Sequence, residues 1–231
     1  MVLHARNPDR AASAIKAVPK AETVLIGDLR SITAIKKLAE EANQNIASNG
    51  PFDAIIHNAG IGYGGTSSRE ITKDHISAVF SVNTLAPYIL TCLVKRPTER
   101  LLFMSSDSHF GGDASLRNAA LSHSYGDSKL HDTMLANAFA RRWGDIQVVS
   151  MHPGWVRTKM GGSVAPGGLG KPANALADWA TGQGRLAGVK SGSFLTTWGP
   201  ESAHRGAANV SKQEELLHIC NQVSGVSVPG D

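Results

Sequence analysis

The sequence predicts an α/β fold, a single domain built on a doubly wound parallel sheet with helices on both faces. Three observations predict it. Short apolar runs alternate with longer stretches of helical periodicity from one end of the chain to the other. The runs are near-continuously apolar instead of alternating, the pattern of strands buried on both faces. Residues able to do chemistry collect where these runs end, which is where ligands sit in such sheets.

The elements follow in order. "MVLHAR" (1–6) opens as a strand, and "NPDRAASAIKAV" follows as a helix with Asn7-Pro8 as cap and first turn. "ETVLIGDL" (22–29) is a second strand. In "SITAIKKLAEEANQNIASNG", Ser31 is the N-cap, Ile32, Ile35, Leu38 and Ala39 recur at helical spacing, and Gly50 stops the helix. "FDAIIHNAG" (52–60) is a third strand leading into a loop rich in Gly and Ser. A long helix is expected over 72–94, bent at Pro87. "RLLFMSS" (100–106) and "IQVVSMHPG" (146–154) are strands, with a helix over 125–143 between them. A helix over 172–183, a short strand "SGSFLTT" (191–197) and a closing helix "KQEELLHICNQV" complete the chain.

Composition narrows the function. Of 231 residues 42% are apolar and 18% charged, as in globular domains, and the net charge is only +4. The basic residues are scattered and not interleaved with aromatics, which argues against nucleic-acid binding. No apolar run approaches the ~18 residues of a membrane span, and no signal peptide opens the chain. Cys92 and Cys220 lie within helical patterns and form no zinc spacing, so both are expected to be buried free thiols in a reducing compartment. The nine histidines form no metal-ligand pair. A cytoplasmic protein is the expectation.

The chemistry centres on "SYGDSKLHD" (124–132). Tyr125 and Lys129 are four apart on a helix and share one face. A phenol of pKa ~10 is a poor base at neutral pH. An ammonium ~4 Å away at an effective dielectric of ~20 favours the phenolate by up to ~4 kcal/mol before desolvation. Such a pair suits moving a proton on or off an alcohol oxygen. Ser105 and Ser106 close the preceding strand, where a hydroxyl can reach a carbonyl oxygen. Asn83 sits mid-helix, where a short amide is unfavourable and needs a reason. "HNAG" puts Gly60 where the backbone turns tightly or approaches a ligand. Each of these also has an ordinary structural explanation taken alone.

Together, "NAG", "VN", "SS", "YGDSK" and "HPGWVRTKM", in this order, resemble the short-chain dehydrogenase/reductase superfamily. The wording "SSDSH", "YGDSKL" and "HPGWVRT" is closest to its retinol-dehydrogenase-like branch. The resemblance runs from about Val2 to the final helix and implies one Rossmann-type domain over 1–231. It implies a catalytic set in which Tyr125 is the acid or base, Lys129 lowers its pKa and binds the nicotinamide ribose, Ser106 holds the substrate oxygen, and Asn83 holds a proton-passing water. It further implies that Asn58, Ala59 and Gly60 line the adenine-ribose side of the cofactor, that Asp28 contacts the adenine, and that Pro153, Gly154 and Thr158 meet the nicotinamide. Arg6 matches the place of a cation against a 2′-phosphate, which favours NADP over NAD. The expected substrate is a small hydrophobic alcohol or carbonyl. Homo-oligomers would pair through the helices at 72–94 and 125–143.

The sequence departs from that family chiefly at its start, and to a smaller degree in the long segment between Ser106 and Tyr125. The family's first strand and its TGxxxGxG turn do not precede "VLHAR", so an N-terminally truncated form of the fold is expected. Loss of a central strand would leave its neighbours ~9.6 Å apart, so either the halves slide together or two edges stay unpaired. This leaves open a catalytically inactive member that serves as a binding or scaffold protein. A serine hydrolase using Ser106 with His109 or His152 is a more remote alternative, since no GxSxG elbow occurs. The long stretch "HFGGDASLRNAALS" is expected to form part of the substrate wall, and "GGSVAPGGLG" (161–170) a mobile lid. Trp155, Met160 and Trp179 either line an apolar cavity or belong to the core.

Overall fold

A computed structural model of the chain describes residues 1–62 and 69–230, so most of the Gly/Ser-rich loop after Gly60 lies outside the described residues. The strands are β1 (Val2–Ala5), β2 (Thr23–Ile26), β3 (Ala54–His57), β4 (Arg100–Met104), β5 (Gln147–Met151), β6 (Phe194–Leu195) and β7 (Pro200–Glu201). The main helices are α1 (Pro8–Ala17), α2 (Ile32–Asn49), α3 (Ala78–Phe80), α4 (Ala86–Leu93), α5 (Tyr125–Arg142), α6 (Gly170–Ala180) and α7 (Val210–Ser224). The caps fall where the side chains favour them: Asn7 accepts from the Arg10 N–H and Ser31 from the Ala34 N–H.

β1 pairs in parallel with β2 alone, while β3, β4, β5 and β6 form a parallel run to which β7 adds an antiparallel edge. Among the described residues the strands therefore fall into two sheets, and no ladder joins β1 to β3. Of the two outcomes expected at that point, the described residues show the edges unpaired. Helix α2 ties the sheets together. Its Ala39, Ala42 and Ile46 pack with Val94, and Leu25 of β2, Phe52 and Ile55 of β3 lie against this cluster.

The five-stranded sheet is covered on both faces, as a doubly wound fold requires. Leu101 and Phe103 of β4 join the core beneath α4, α5 and α7, whereas Leu102 and Met104 join Val149, Met151 and Trp179 on the other side. This two-residue alternation divides one apolar run between two cores. Trp179 is fully buried and belongs to the second core rather than to a cavity wall. Cys92 and Cys220 are free and buried, and burial pushes the Cys220 thiol up.

Several boundaries differ from expectation. The long helix begins at Ala78, not at 72, because Ser77 caps it and the segment before it folds back through an Ile71–Ser77 bridge. It is not simply bent at Pro87. Residues Ser81–Leu85 form a π-helical turn between α3 and α4, a feature frequent at functional sites. The stretch 191–197 yields only a two-residue strand, closed by β7.

The segment between Ser106 and Tyr125 is fixed to the body rather than loose. It holds two 3₁₀ turns, Asp107–Gly111 and Ala119–Leu121, and buries His109, Leu116 and Ala119. The expected lid is also tethered: Arg157 N–H donates to the Gly167 carbonyl and Gly167 N–H to the Trp155 carbonyl.

Candidate active site

The π-helical turn places Asn83, whose residue is 1% exposed, beneath the loop that follows β3. Its Oδ1 accepts from the Ile61 N–H at 2.8 Å, and its Nδ2 donates to the Ile61 carbonyl at 2.8 Å and to the Ser128 Oγ at 2.9 Å. One amide thus fastens the β3 loop to the first turns of α5. A Cβ at Gly60 would lie 3.5 Å from Asn83 Oδ1 and 3.7 Å from Lys129 Nζ, so the β3 loop, the π-turn and α5 converge at this glycine.

Helix α5 begins at Tyr125, with the Ser124 Oγ accepting from the Asp127 N–H as cap. Lys129 lies one turn on, and its Nζ is 5.5 Å from the centroid of the Tyr125 ring. Lys129 is 3% exposed, its ammonium donating to the Met104 carbonyl at 2.7 Å and to Asp132 Oδ2 at 2.8 Å. Asp132 was no candidate in the sequence, yet it is the acidic partner of the one lysine at the centre. Burial pushes its carboxyl up to about 7, against the downward pull of Lys129.

The two serines at the end of β4 separate cleanly. Ser105 is buried, donating to the Lys129 carbonyl at 2.8 Å and sharing a hydrogen bond with Thr133 Oγ1 at 3.1 Å. Ser106 is half-buried and caps the 3₁₀ turn, its Oγ meeting the Ser108 N–H at 3.2 Å and the Ser108 Oγ at 3.3 Å. That turn sits directly on α5, since a Cβ at Gly126 would come within 2.9 Å of the Ser108 carbonyl. Ser106 is therefore held beside the head of α5. Neither histidine proposed as its base bonds its hydroxyl. His109 Nδ1 meets the Ser106 backbone carbonyl at 2.7 Å, and His152 turns to Asp107, Nε2 to Oδ2 at 2.9 Å.

After β5, Pro153 and Gly154 are half-buried, and Gly154 takes φ 91°, a left-handed conformation that favours glycine. Gly154 lines a depression of about 230 Å³ with Asp107, His152, Thr196, Thr197, Trp198 and Glu201. Thr158 is exposed, and its Oγ1 accepts from the Gly161 N–H. Trp155 is 58% exposed and Met160 42%, and the Met160 side chain lies over Gly62.

On the smaller sheet, Arg6 is exposed just past β1, and its charge reaches Asp28 just past β2. Arg30 grips Asp28 at 2.6 Å and reaches Glu70 at 3.1 Å, which holds the Asp28 carboxyl below its usual range. Asn58 and Ala59 are exposed at the end of β3. Two groups stand out among the candidate residues, with Asn58 and Ala59 after β3 and Pro153, Gly154 and Thr158 after β5 outside both. Gly60, Asn83, Ser106, Tyr125 and Lys129 are linked through α5, while Arg6 and Asp28 share the end of the β1–β2 pair.

The short chain dehydrogenase family model matches residues 1–167 of the chain. The chain belongs to the short-chain dehydrogenase/reductase family. Among relatives, an uncharacterized oxidoreductase of Emericella nidulans is 71% identical over 231 residues, covering all of this chain and 89% of that protein. Retinol dehydrogenase 14 of Mus musculus is 26% identical over 181 residues, covering 73% of this chain and 52% of that protein, in line with the retinol-dehydrogenase-like branch. Among solved structures, the NADPH-bound carbonyl reductase from chicken fatty liver superposes with a TM-score of 0.62 at 24% identity, covering 87% of this chain and 86% of that one. The fold is thus that of the Rossmann-type family members, and the chain is an oxidoreductase of this family.

Proposed function

We propose that this short-chain dehydrogenase/reductase interconverts a hydrophobic alcohol and its carbonyl with NADP, Tyr125 moving the proton. The observation that carries the reading is the buried Lys129 ammonium 5.5 Å from the Tyr125 ring, with Ser106 held beside the same helix end. A positive charge there stabilises the phenolate, so Tyr125 can donate to a carbonyl oxygen or accept from an alcohol. Ser106 holds that oxygen with the hydroxyl it has free of the core. Asn83 fixes the β3 loop against α5 and so keeps Gly60 close to Lys129.

The residues present fit a dinucleotide. Arg6 is exposed and forms no ion pair among the described residues, as a receptor for a 2′-phosphate needs. Asn58 and Ala59 are open to a ligand at the end of β3, and Asp28 stands beside Arg6 to meet the adenine. Pro153, Gly154 and Thr158 follow β5 on the nicotinamide side. A bound nicotinamide supplies or takes up the hydride that accompanies the proton carried by Tyr125. NADPH bound to the chicken carbonyl reductase supports the choice of cofactor. The exposed Trp155, Met160, Val164 and Leu169 support an apolar substrate.

The test is a carbonyl screen with NADPH on the full chain and on Tyr125→Phe. Turnover should disappear in the variant while its circular dichroism stays that of the parent. Full activity in Tyr125→Phe would refute the mechanism. Failure of the parent to bind NADPH at millimolar concentration would favour a binding or scaffold role instead.

A further inference from the structure

Tyr125, Lys129 and Asp132 stand at i, i+4 and i+7 on α5, and so share one face. Lys129 and Asp132 are both almost completely buried, 3% and 2% exposed, and their contact is 2.8 Å. Taking a carboxylate and an ammonium out of water together is expensive, and a purely structural role is as well served by apolar residues of the same volume. The pair lies one turn from a phenol whose acidity depends on that same ammonium. A salt bridge here does more than fill the core, because any charge on Asp132 subtracts from the field that Lys129 casts on Tyr125.

We propose that Asp132 is a positioning residue of the reaction centre: its carboxyl group holds the Lys129 ammonium against the Met104 carbonyl and sets how much of that positive charge Tyr125 feels. The inference rests on the reading of Tyr125 as the proton carrier.

The surroundings leave Asp132 to this role. From β4, the Met104 carbonyl and the Ser105 hydroxyl face the pair, and neither titrates. His131, next along α5, turns to Thr84 on the π-helical turn and edge-on to Phe80, and burial holds it neutral, near a pKa of about 4. His57 on β3 is likewise kept neutral by burial and bonds Thr91. Among the described residues, Lys129 is the single charged group that acts on the Asp132 carboxyl, which burial holds near neutrality. A carboxyl that titrates close to working pH can tune its neighbour there. One that stays ionised cannot.

The test reads Tyr125 directly, without cofactor or substrate, by the tyrosinate absorbance band, with Tyr125→Phe identifying its share among the three tyrosines of the full chain. Asp132→Asn should make the Tyr125 phenol about thirtyfold more acidic, the size expected for one charge roughly 8 Å off at an effective dielectric of ~20. In a Lys129→Met background, where no cation keeps the buried carboxyl ionised, the same change should leave the phenol where it is. An unaltered phenol in Asp132→Asn, or an equal change in both backgrounds, would overturn the proposal. If Asp132→Asn does not fold, the parent decides: the Tyr125 Cζ carbon resonance should show an inflection at the pH where the Asp132 carboxyl carbon titrates, and its absence would overturn the proposal equally. Turnover by Tyr125→Phe bears on the oxidoreductase reading alone, so the two can fail separately.

Discussion

The amide of Asn83 closes a three-way joint, donating to the Ser128 hydroxyl of α5 at 2.9 Å while exchanging two hydrogen bonds with the backbone of Ile61. The joint exists because the π-turn adds one residue to the helix and rotates Asn83 toward the β3 loop. Asn83→Ala strips the half-buried Ile61 N–H and carbonyl of their partner. A loss of about 2–4 kcal/mol is expected, since each orphaned group costs about 1–3 kcal/mol. Urea denaturation measures it, and a change below about 0.5 kcal/mol would show that the joint bears no strain on the fold.

Ser105 and Ser106 should behave as opposites. Ser105→Ala removes a buried hydroxyl that bonds the Lys129 carbonyl and Thr133, and should cost stability on the order of 1 kcal/mol. Ser106→Ala should change the melting temperature by little and lower kcat/KM at least a hundredfold, the loss of a hydrogen bond aimed at the reacting oxygen. Parallel thermal melts and kinetics on the two variants distinguish the roles. Reversal of the pattern would exchange the serines.

Arg6 should discriminate cofactors. Arg6→Ala should raise KM for NADPH at least tenfold and leave KM for NADH nearly unchanged, because only the former carries the 2′-phosphate. Equal effects on both would detach Arg6 from the 2′-phosphate.

Acid should unfold the protein from within. Burial lowers His57 and His131 to about 4 from an ordinary value of 6.5. A depressed folded pKa means that the unfolded chain binds protons first. The stability these groups contribute is therefore whole above pH 6.5 and is lost as the pH falls through about 4. Asp132 works with the opposite sign: raised to about 7 from 3.8, its contribution is whole below 3.8 and is lost as the pH rises through 7. His131→Gln, which keeps a partner for Thr84, should flatten the decline between pH 6.5 and 4. Urea midpoints at pH 7 and pH 5 for the parent and the variant check this, and equal slopes would contradict it.

Much of this architecture was legible in the sequence, and the exceptions have physical causes. The apolar runs of β4 and β5 marked strands buried on both sides, and each proved to divide its residues between two cores. The Tyr125–Lys129 spacing announced a shared helix face, and the caps Asn7 and Ser31 fell where their side chains could bond the free N–H groups. The π-turn at Ser81–Leu85 was not legible, because one residue added to a helix leaves the composition of that helix unchanged. Asp132 escaped for a related reason. An acid three residues after a lysine reads as an ordinary solvent-exposed pair, and only the packing of α5 onto β4, where Lys129 bonds the Met104 carbonyl, makes it buried. The 107–124 segment read as a loop because its two 3₁₀ turns are too short for periodicity to register.

The division of the strands into two sheets has a consequence for motion. A two-stranded ribbon is marginal by itself, so β1 and β2 depend on α2 for their grip on the remainder of the molecule. Arg6 and Asp28 ride on that ribbon, whereas Tyr125 and Lys129 are rooted in the five-stranded body. Backbone deuterium uptake should accordingly be fastest at Val2–Ala5 and Thr23–Ile26 and slowest at Arg100–Met104. A dinucleotide spanning both would act as a splint, and its grip would register as slowed exchange in the ribbon before any chemistry took place.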